Sequence, residues 1–410
     1  MVSHRAARHR RPVSKLTYYI RRAIAVGVVL TLLVFGYYGV TLYQALNNPS
    51  YGASSMARIA EWGRNEGIGG FVTWAENIYN RLHPAKVGGN PNPNAFGGGT
   101  VKAKAGPLPL PPTLISPAAH PYPGEGVWHP VGRETASGIP AVYEAFLRPD
   151  AQHTSYVVGV AWMDTRLLSA QLYSGSQIPG KMGVPYSHTA PISAPASGSI
   201  VAAFNSGFRM QDAQGGYYTD HKMLIPLRVG AASIVTYDNG NITIGEWGRD
   251  FHSLVGVSSV RQNLDLIVDH GTTVAGLTQQ NNASWGKVTG NTFNVWRSGL
   301  GVTKDGALVY VGGPALSIAD LASVLVRAGA VEGLETDMNT DWVIYSTFSG
   351  PLNHPINGSA GVNMLNGQNV GGNAMLERPS IFFANWWTRD FYVMSLRPKE
   401  LTTTSASSGR

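Results

Sequence analysis

Read for its alternation of apolar and polar positions, the chain divides into a long uncharged run, a short amphipathic stretch, a Pro- and Gly-rich stretch, and a series of brief apolar runs broken by turns. From Ala23 to Ala45 there is no charged residue. At ~1.5 Å per helical residue that run is about long enough to cross a bilayer core of roughly 30 Å, and Tyr37, Tyr38 and Tyr43 suit its far interface. Between 51 and 83, Met56, Ile59, Ile68, Phe71, Ala75, Ile78 and Leu82 recur at helical spacing, which predicts an amphipathic helix ending at His83-Pro84 and broken near Gly67, Gly69 and Gly70. From 84 to 125, V-G-G-N-P-N-P-N and P-L-P-L-P-P read as a flexible piece followed by a stiff one, a spacer.

Beyond Gly126 the runs shorten to strand length. Tyr156 to Met163 and Ile200 to Phe204 read as buried strands, and Asn239-Gly240 and Asp305-Gly306 each lie between apolar runs, the signature of a hairpin because Gly accepts φ > 0. Ser317 and Asp320 form an S-x-x-D cap, Leu321, Val324, Leu325 and Ala328 make one stripe, and Gly329 ends the helix. Val331 to Leu334 is a further strand, and Ile381 to Ala384 and Phe391 to Leu396 close the domain. The pattern predicts an α+β fold: a mixed, sheet-rich globular domain with packed helices, preceded by a single N-terminal transmembrane helix.

Composition narrows the organisation. The 410 residues hold 49 Gly, 25 Pro and only 13% charged residues, which fits one globular domain with non-globular material ahead of it better than two or three domains. The expected division is a basic tail at 1–22, the membrane helix at 23–45, a juxtamembrane helical segment at 46–83, the linker at 84–125, the domain at 126–398 and a disordered tail at 399–410. The net charge of +7 belongs to the tail: Arg5, Arg8, Arg10, Arg11, Lys15, Arg21 and Arg22 carry it, and the rest of the chain is balanced. A neutral domain lacks the basic face that a phosphate backbone needs, so no nucleic acid is expected as a partner. Basic residues before the span instead place the N-terminus in the cytoplasm and the domain outside, a single-pass plasma-membrane protein. A cleavable signal peptide is the competing reading, but no A-x-A-like site follows and the apolar run is longer than the usual ~7–15 residues. The absence of cysteine excludes thiol nucleophiles and Cys-based metal sites.

Candidate chemistry concentrates at E-T-D-M-N-T-D, where Glu335, Asp337, Asn339 and Asp341 fall at every second position and, on an extended chain, point one way. Carboxylates so aligned repel unless cations, protons or donors lie close, which marks a candidate site; a solvated loop is the plainer alternative. No H-E-x-x-H, G-x-S-x-G, phosphate loop or dinucleotide fingerprint is present. Asp269-His270-Gly271 and Asn281-Asn282 read as turns, no cofactor is predicted, and the need for a divalent metal is open. The uncharged Gly- and Asn-rich stretch from 346 to 373 is of the kind that covers polar ligands, and Trp386-Trp387 offers faces for stacking on sugar, though paired tryptophans more often belong to a core.

The order of R-S-G-L-G-V-T-K-D-G at 297–306, the helix S-I-A-D-L-A-S-V-L-V-R-A-G-A and an aspartate-bearing strand end, with V-A-A-F-N-S-G-F at 201–208 upstream and E-R-P-S-I-F-F-A-N at 377–385 downstream, resembles the phosphodiester glycosidase family. The resemblance spans roughly residues 155–396. Where the family has L-D-G-G-G-S this chain has T-D-M-N-T-D, which keeps Asp337 and replaces the glycines. It implies hydrolysis of a sugar-1-phosphate diester, on an envelope glycan given the expected location, and the altered motif supports a second class, a glycan-binding or assembly module on the same fold. The catalytic set expected is Asp337, Glu335 and Arg297, and the substrate-binding set Asn205, Arg209, Asn339, Asp341 and Arg378. Arg297 is expected to hold phosphate oxygens bidentately with Arg209 sharing the charge, Asn205 to orient a hydroxyl or phosphate oxygen, and Asp337 or Glu335 to serve as acid or base.

Overall fold

A computed structural model describes residues 14–97, 103–180, 186–279, 283–285, 293–365, 375 and 378–402. Arg5, Arg8, Arg10 and Arg11, Asn281-Asn282, residues 98–102 of the expected spacer, residues 366–373 of the Gly- and Asn-rich stretch, Glu377, and the tail from 403 lie outside the described residues.

The uncharged run forms α1 (Lys15–Leu46), capped by Ser14, whose Oγ accepts from Thr17 N at 3.2 Å. It is long and apolar enough to cross a membrane, and its most apolar stretch is wholly exposed. The amphipathic stretch forms α2 (Ser55–Asn65) and α3 (Gly69–Leu82), separated at Gly67, whose φ of +83° only glycine adopts cheaply. Adjacent faces of α2 do different things. Arg58 donates to Leu46 O at 2.7 Å and Trp62 Nε1 to Thr41 Oγ1 at 2.9 Å, tying α2 to the end of α1, while Ala57 and Glu61 turn inward and are buried.

The largest sheet has eight strands in the order His129–Glu134, Pro140–Leu147, Val158–Met163, Leu308–Leu316, Val295–Thr303, Ala330–Asp337, Val268–Asp269 and Thr272–Thr273, every neighbouring pair antiparallel. Its central hairpin turns at Gly306 (φ +88°). Both faces are covered, so successive residues Leu308, Val309, Tyr310 and Val311 enter opposite cores and the strand reads as an unbroken apolar run. On one face lies the helix Ile318–Arg327, where the Ser317–Asp320 capping box is formed in both directions, at 2.9 and 3.1 Å, and Leu321, Val324 and Leu325 are buried.

Against the other face packs a five-stranded sheet in the order Gly361–Asn363, Tyr345–Phe348, Ile200–Asn205, Phe391–Leu396, Leu168–Tyr173. Phe204, Tyr310, Tyr345 and Tyr392 join the two in one aromatic cluster, with Tyr310 and Tyr345 centroids 5.0 Å apart. A second five-stranded sheet, Lys222–Ile225, Tyr217–Thr219, Val257–Gln262, Ala232–Tyr237, Ile242–Glu246, is also antiparallel. The fold is α+β, with helices packed on antiparallel sheets.

The Pro- and Gly-rich stretch is no free spacer over much of its described length. Phe96 is fully buried and stacks on Tyr122 at 5.6 Å, Leu108 and Leu114 are buried in the core under helix Ile318–Arg327, and Pro112 O accepts from Trp128 Nε1 at 3.1 Å. Leucines placed between prolines supply apolar knobs on a stiff backbone that loses little entropy on docking.

Candidate functional site

Strand Ala330–Asp337 carries the acidic motif, and its register decides where the carboxylates go. Asp337 pairs with Ser298 and Glu335 with the next residue, Gly299, so two steps on one strand oppose one step on the other and Thr336 is the extra residue of a bulge. Adjacent residues face opposite sides of a sheet, so the bulge sends Asp337 and Glu335 to opposite faces. The expectation that Glu335, Asp337, Asn339 and Asp341 all point one way is corrected by this one inserted residue.

Glu335 turns toward the helix side and meets Arg297, with Arg297 Nη1 to Glu335 Oε1 at 2.5 Å and both side chains essentially fully buried. Arg297 also donates from Nε to Leu316 O at 2.9 Å and from Nη2 to Phe293 O at 3.3 Å. Each of its three guanidinium nitrogens is engaged by a protein group, and Arg297 does not line the cavity that holds Asp337, so the two are not brought together as the phosphate-holding role expected. Burial raises the Glu335 carboxyl above the usual carboxylate range, with Arg297 opposing.

Asp337 turns the other way, into a small cavity lined with Asn205, Gly207, Trp342, Trp387, Arg389 and Asp390 and holding about 10 Å³, room for roughly one water. Its Oδ1 accepts from Met338 N at 2.8 Å. Burial pushes its carboxyl up to about 7, although the Arg389 charge pulls it down. Asn205, at the end of Ile200–Asn205, sits beside it with its amide fully used: Nδ2 donates to Ser298 Oγ (3.1 Å) and Thr336 Oγ1 (3.2 Å), and Oδ1 accepts from Tyr310 OH (2.8 Å) and Ile344 N (3.2 Å). Two donors and two acceptors are all that an amide offers. Asn205 therefore ties three strands and fixes the bulge at Thr336, and the ligand-orienting role expected of it has no free atom to act through.

The cationic side of the cavity is Arg389, which sequence reasoning passed over in favour of the neighbouring tryptophans. Its guanidinium carbon lies 4.2 Å from the Trp342 ring centroid. Next to it, Asp390 is bound by Arg261 Nε at 2.8 Å with both side chains fully buried. The available signal was T-R-D between Trp387 and the apolar strand Phe391–Leu396: a charge pair wedged between core residues is a pair that the fold buries. Trp387 is core, with its ring 5.4 Å from that of Trp342.

The N-terminal segment docks on the domain beside the cavity's Trp342 and Arg389. Asp341 accepts from Ser54 N at 2.9 Å and from Ser54 Oγ at 3.3 Å, and Thr388 Oγ1 donates to Ser50 O at 3.2 Å. Arg209 reaches Asn65 Oδ1 at 2.7 Å, and Glu61 Oε2 lies 3.5 Å from both Arg209 Nη1 and Arg389 Nη2. Burial raises the Asp341 carboxyl and lowers the Arg209 guanidinium. Asn339 shapes the turn, its Oδ1 accepting from Asp341 N at 3.0 Å. Arg378 is exposed at the start of the turn Pro379–Phe383. Of the residues expected in one pocket, the structure thus gathers Asn205 and Asp337 at the cavity, sets Arg209 and Asp341 against the N-terminal segment beside it, and puts Arg297 and Glu335 on the opposite face.

Among the described residues, Asp269, His270 and Glu332 form a group of suitable ligand spacing for a metal, away from this cavity; Arg249 bridges Asp269 and Glu332 at 3.0 and 3.5 Å.

No protein-family model and no curated protein matches the chain. Among solved structures it is similar to the zebrafish N-acetylglucosamine-1-phosphodiester alpha-N-acetylglucosaminidase catalytic domain, auto-inhibited by its pro-peptide, at 12% identity over 66% of this chain and 88% of that one, with a TM-score of 0.36. It is similar also to a hypothetical protein from Synechocystis (13% identity, 62% of each chain, TM-score 0.31) and to a putative exported protein from Burkholderia pseudomallei (12%, 58% of this chain and 74% of that one, 0.26). These likenesses amount to a remote fold relationship.

Proposed function

We propose that the chain is a membrane-anchored extracytoplasmic hydrolase of sugar-1-phosphate diesters acting on an envelope glycan, with Asp337 as its acid or base. The observation that carries this reading is a buried carboxyl at about 7 sharing a small, tryptophan-walled cavity with an arginine. A carboxyl poised near neutrality exchanges a proton with a leaving or attacking oxygen at working pH, and an arginine beside it compensates phosphate charge. The motif resemblance at Arg297 to Gly306 and around Asp337 supports the bond type, and the basic residues ahead of α1 support an N-in anchor.

A second reading has its own support. Because Glu335 is spent on Arg297 and Asp390, the second carboxylate lining the cavity, is held through Oδ2 by Arg261, Asp337 has no carboxylate partner free of an arginine, which favours a glycan-binding module without turnover. Incubating the full-length chain in detergent micelles with alkyl sugar-1-phosphate diesters while following released reducing sugar, beside direct titration of the same compounds, separates the two. Release of sugar supports the hydrolase; saturable binding without release supports the binding module; absence of both release and binding overturns both.

A further inference from the structure

We infer that Arg209 and Arg389 form an anion-binding subsite beside the cavity, and that Glu61 of the membrane-proximal helix α2 occupies it in place of a ligand phosphate. Both arginines are held from separate elements, Arg209 beyond Ile200–Asn205 and Arg389 before Phe391–Leu396, and one carboxylate oxygen stands between them at 3.5 Å from each. That separation is an ion pair but is longer than the ~2.7–2.9 Å of a charge-assisted hydrogen bond.

The consequence is a set of buried donors that Glu61 does not satisfy. Arg209 Nη1, Arg389 Nε and Arg389 Nη1 are buried and make no hydrogen bond among the described residues. Arg389 is 6% exposed, and its plane is fixed by Trp342 at 4.2 Å, so its donors cannot swing out to solvent. Buried guanidinium donors left unpaired are costly. A phosphate presents oxygens in several directions and can meet donors from two arginines at once, which a carboxylate tethered to a helix meets with one oxygen. The neighbouring charges are Arg64, bound by Glu76 at 2.7 Å, Asp390, bound by Arg261 at 2.8 Å, Asp212, near Arg209 with no hydrogen bond to it among the described residues, and Asp337, the carboxyl that shares the cavity with Arg389.

Ala57, Glu61 and Asn65 stand one helical turn apart on the face of α2 that meets the domain, and Arg58 and Trp62 on the next face hold the end of α1. A phosphate that displaces Glu61 therefore loosens α2 at its grip on the domain, with the α1 contacts left in place. The anion site stands on its own geometry, and the proposed hydrolysis bears only on which phosphate-bearing ligand fills it.

The test uses the full-length chain in detergent micelles and inorganic phosphate as the probe. Calorimetric titration should give Glu61→Gln a phosphate affinity ~10-fold above that of the parent, and the added change Arg389→Gln should abolish the gain. In the parent, phosphate should speed hydrogen exchange of the α2 amides relative to chloride at equal ionic strength, a readout that does not depend on any variant folding. Equal phosphate affinity of the parent and a folded Glu61→Gln, a gain that survives Arg389→Gln, or exchange of α2 indifferent to phosphate would each overturn the inference. Sugar-diester turnover enters none of these readings, so a chain that binds phosphate without hydrolysing diesters sinks the proposed reaction and spares this subsite.

Discussion

Two arginine and carboxylate pairings lie on opposite sides of one strand end, and the difference between them separates scaffold from site. On the helix side, Arg297 uses Nε, Nη1 and Nη2 on Leu316 O, Glu335 and Phe293 O, and among the described residues Glu335 Oε2 is left without a hydrogen bond. On the other side, Arg209 Nη1, Arg389 Nε, Arg389 Nη1 and Asp390 Oδ1 have no hydrogen bond among the described residues, and Asp337 carries a carboxyl lifted to about 7. Both sides pay the desolvation of charge, but only the first is nearly repaid by protein partners. Unsatisfied buried polarity that persists beside a cavity is where a ligand has something to gain.

The largest expected effect is on the scaffold side. Arg297→Ala should destabilise the domain by about 3–5 kcal/mol, because it strands a buried Glu335, seen as a lower melting temperature in micelles. A melting temperature like the parent's would erase the contrast between the two sides. Next comes pH. The folded state holds the Asp337 proton up to about 7 while the unfolded chain releases it near 3.8, so between those values the folded state binds more protons and stability falls as pH rises, levelling off above about 7. The slope is at most roughly 1.4 kcal/mol per pH unit, and Asp337→Asn should flatten it relative to the parent. An identical slope in that variant would move the proton elsewhere. The smallest effect is in the N-terminal segment: Ser54 caps α2 by accepting from Ala57 N at 3.0 Å, so Ser54→Ala should cost about 1 kcal/mol locally. It should appear as faster hydrogen exchange in α2 with the core strands unchanged; protection lost throughout the domain would mean that α2 is integral to the fold.

Much of the architecture is legible from local signals. The capping box at Ser317 and Asp320, the stripe from Leu321 to Ala328 and the turn at Gly306 are each set by residues within a few positions, and the structure forms them as the pattern predicts. The candidate site is less legible because its geometry is not local. A single bulge at Thr336, fixed by hydrogen bonds from Asn205 and Ser298, reverses the side of the sheet that Glu335 faces, and nothing in E-T-D-M-N-T-D announces it. The docking of Phe96, Leu108 and Leu114 escapes composition for a related reason: a Pro- and Gly-rich stretch looks like a linker until the groove that receives it exists. Arg389 was within reach of sequence, since T-R-D sits between residues that belong in a core. Glu61 was not, because its partners are more than a hundred residues away in the chain.

In the proposed hydrolysis Asp337 is the working group of the cavity. The direct measurement is turnover of a sugar-1-phosphate diester by full-length Asp337→Asn beside the parent, with the melting temperature of each taken in the same micelles. The account predicts a rate lower by ~10²–10⁴ with the melt preserved, the loss expected when a proton-transferring group is removed. Turnover equal to the parent's in a folded Asp337→Asn would contradict it.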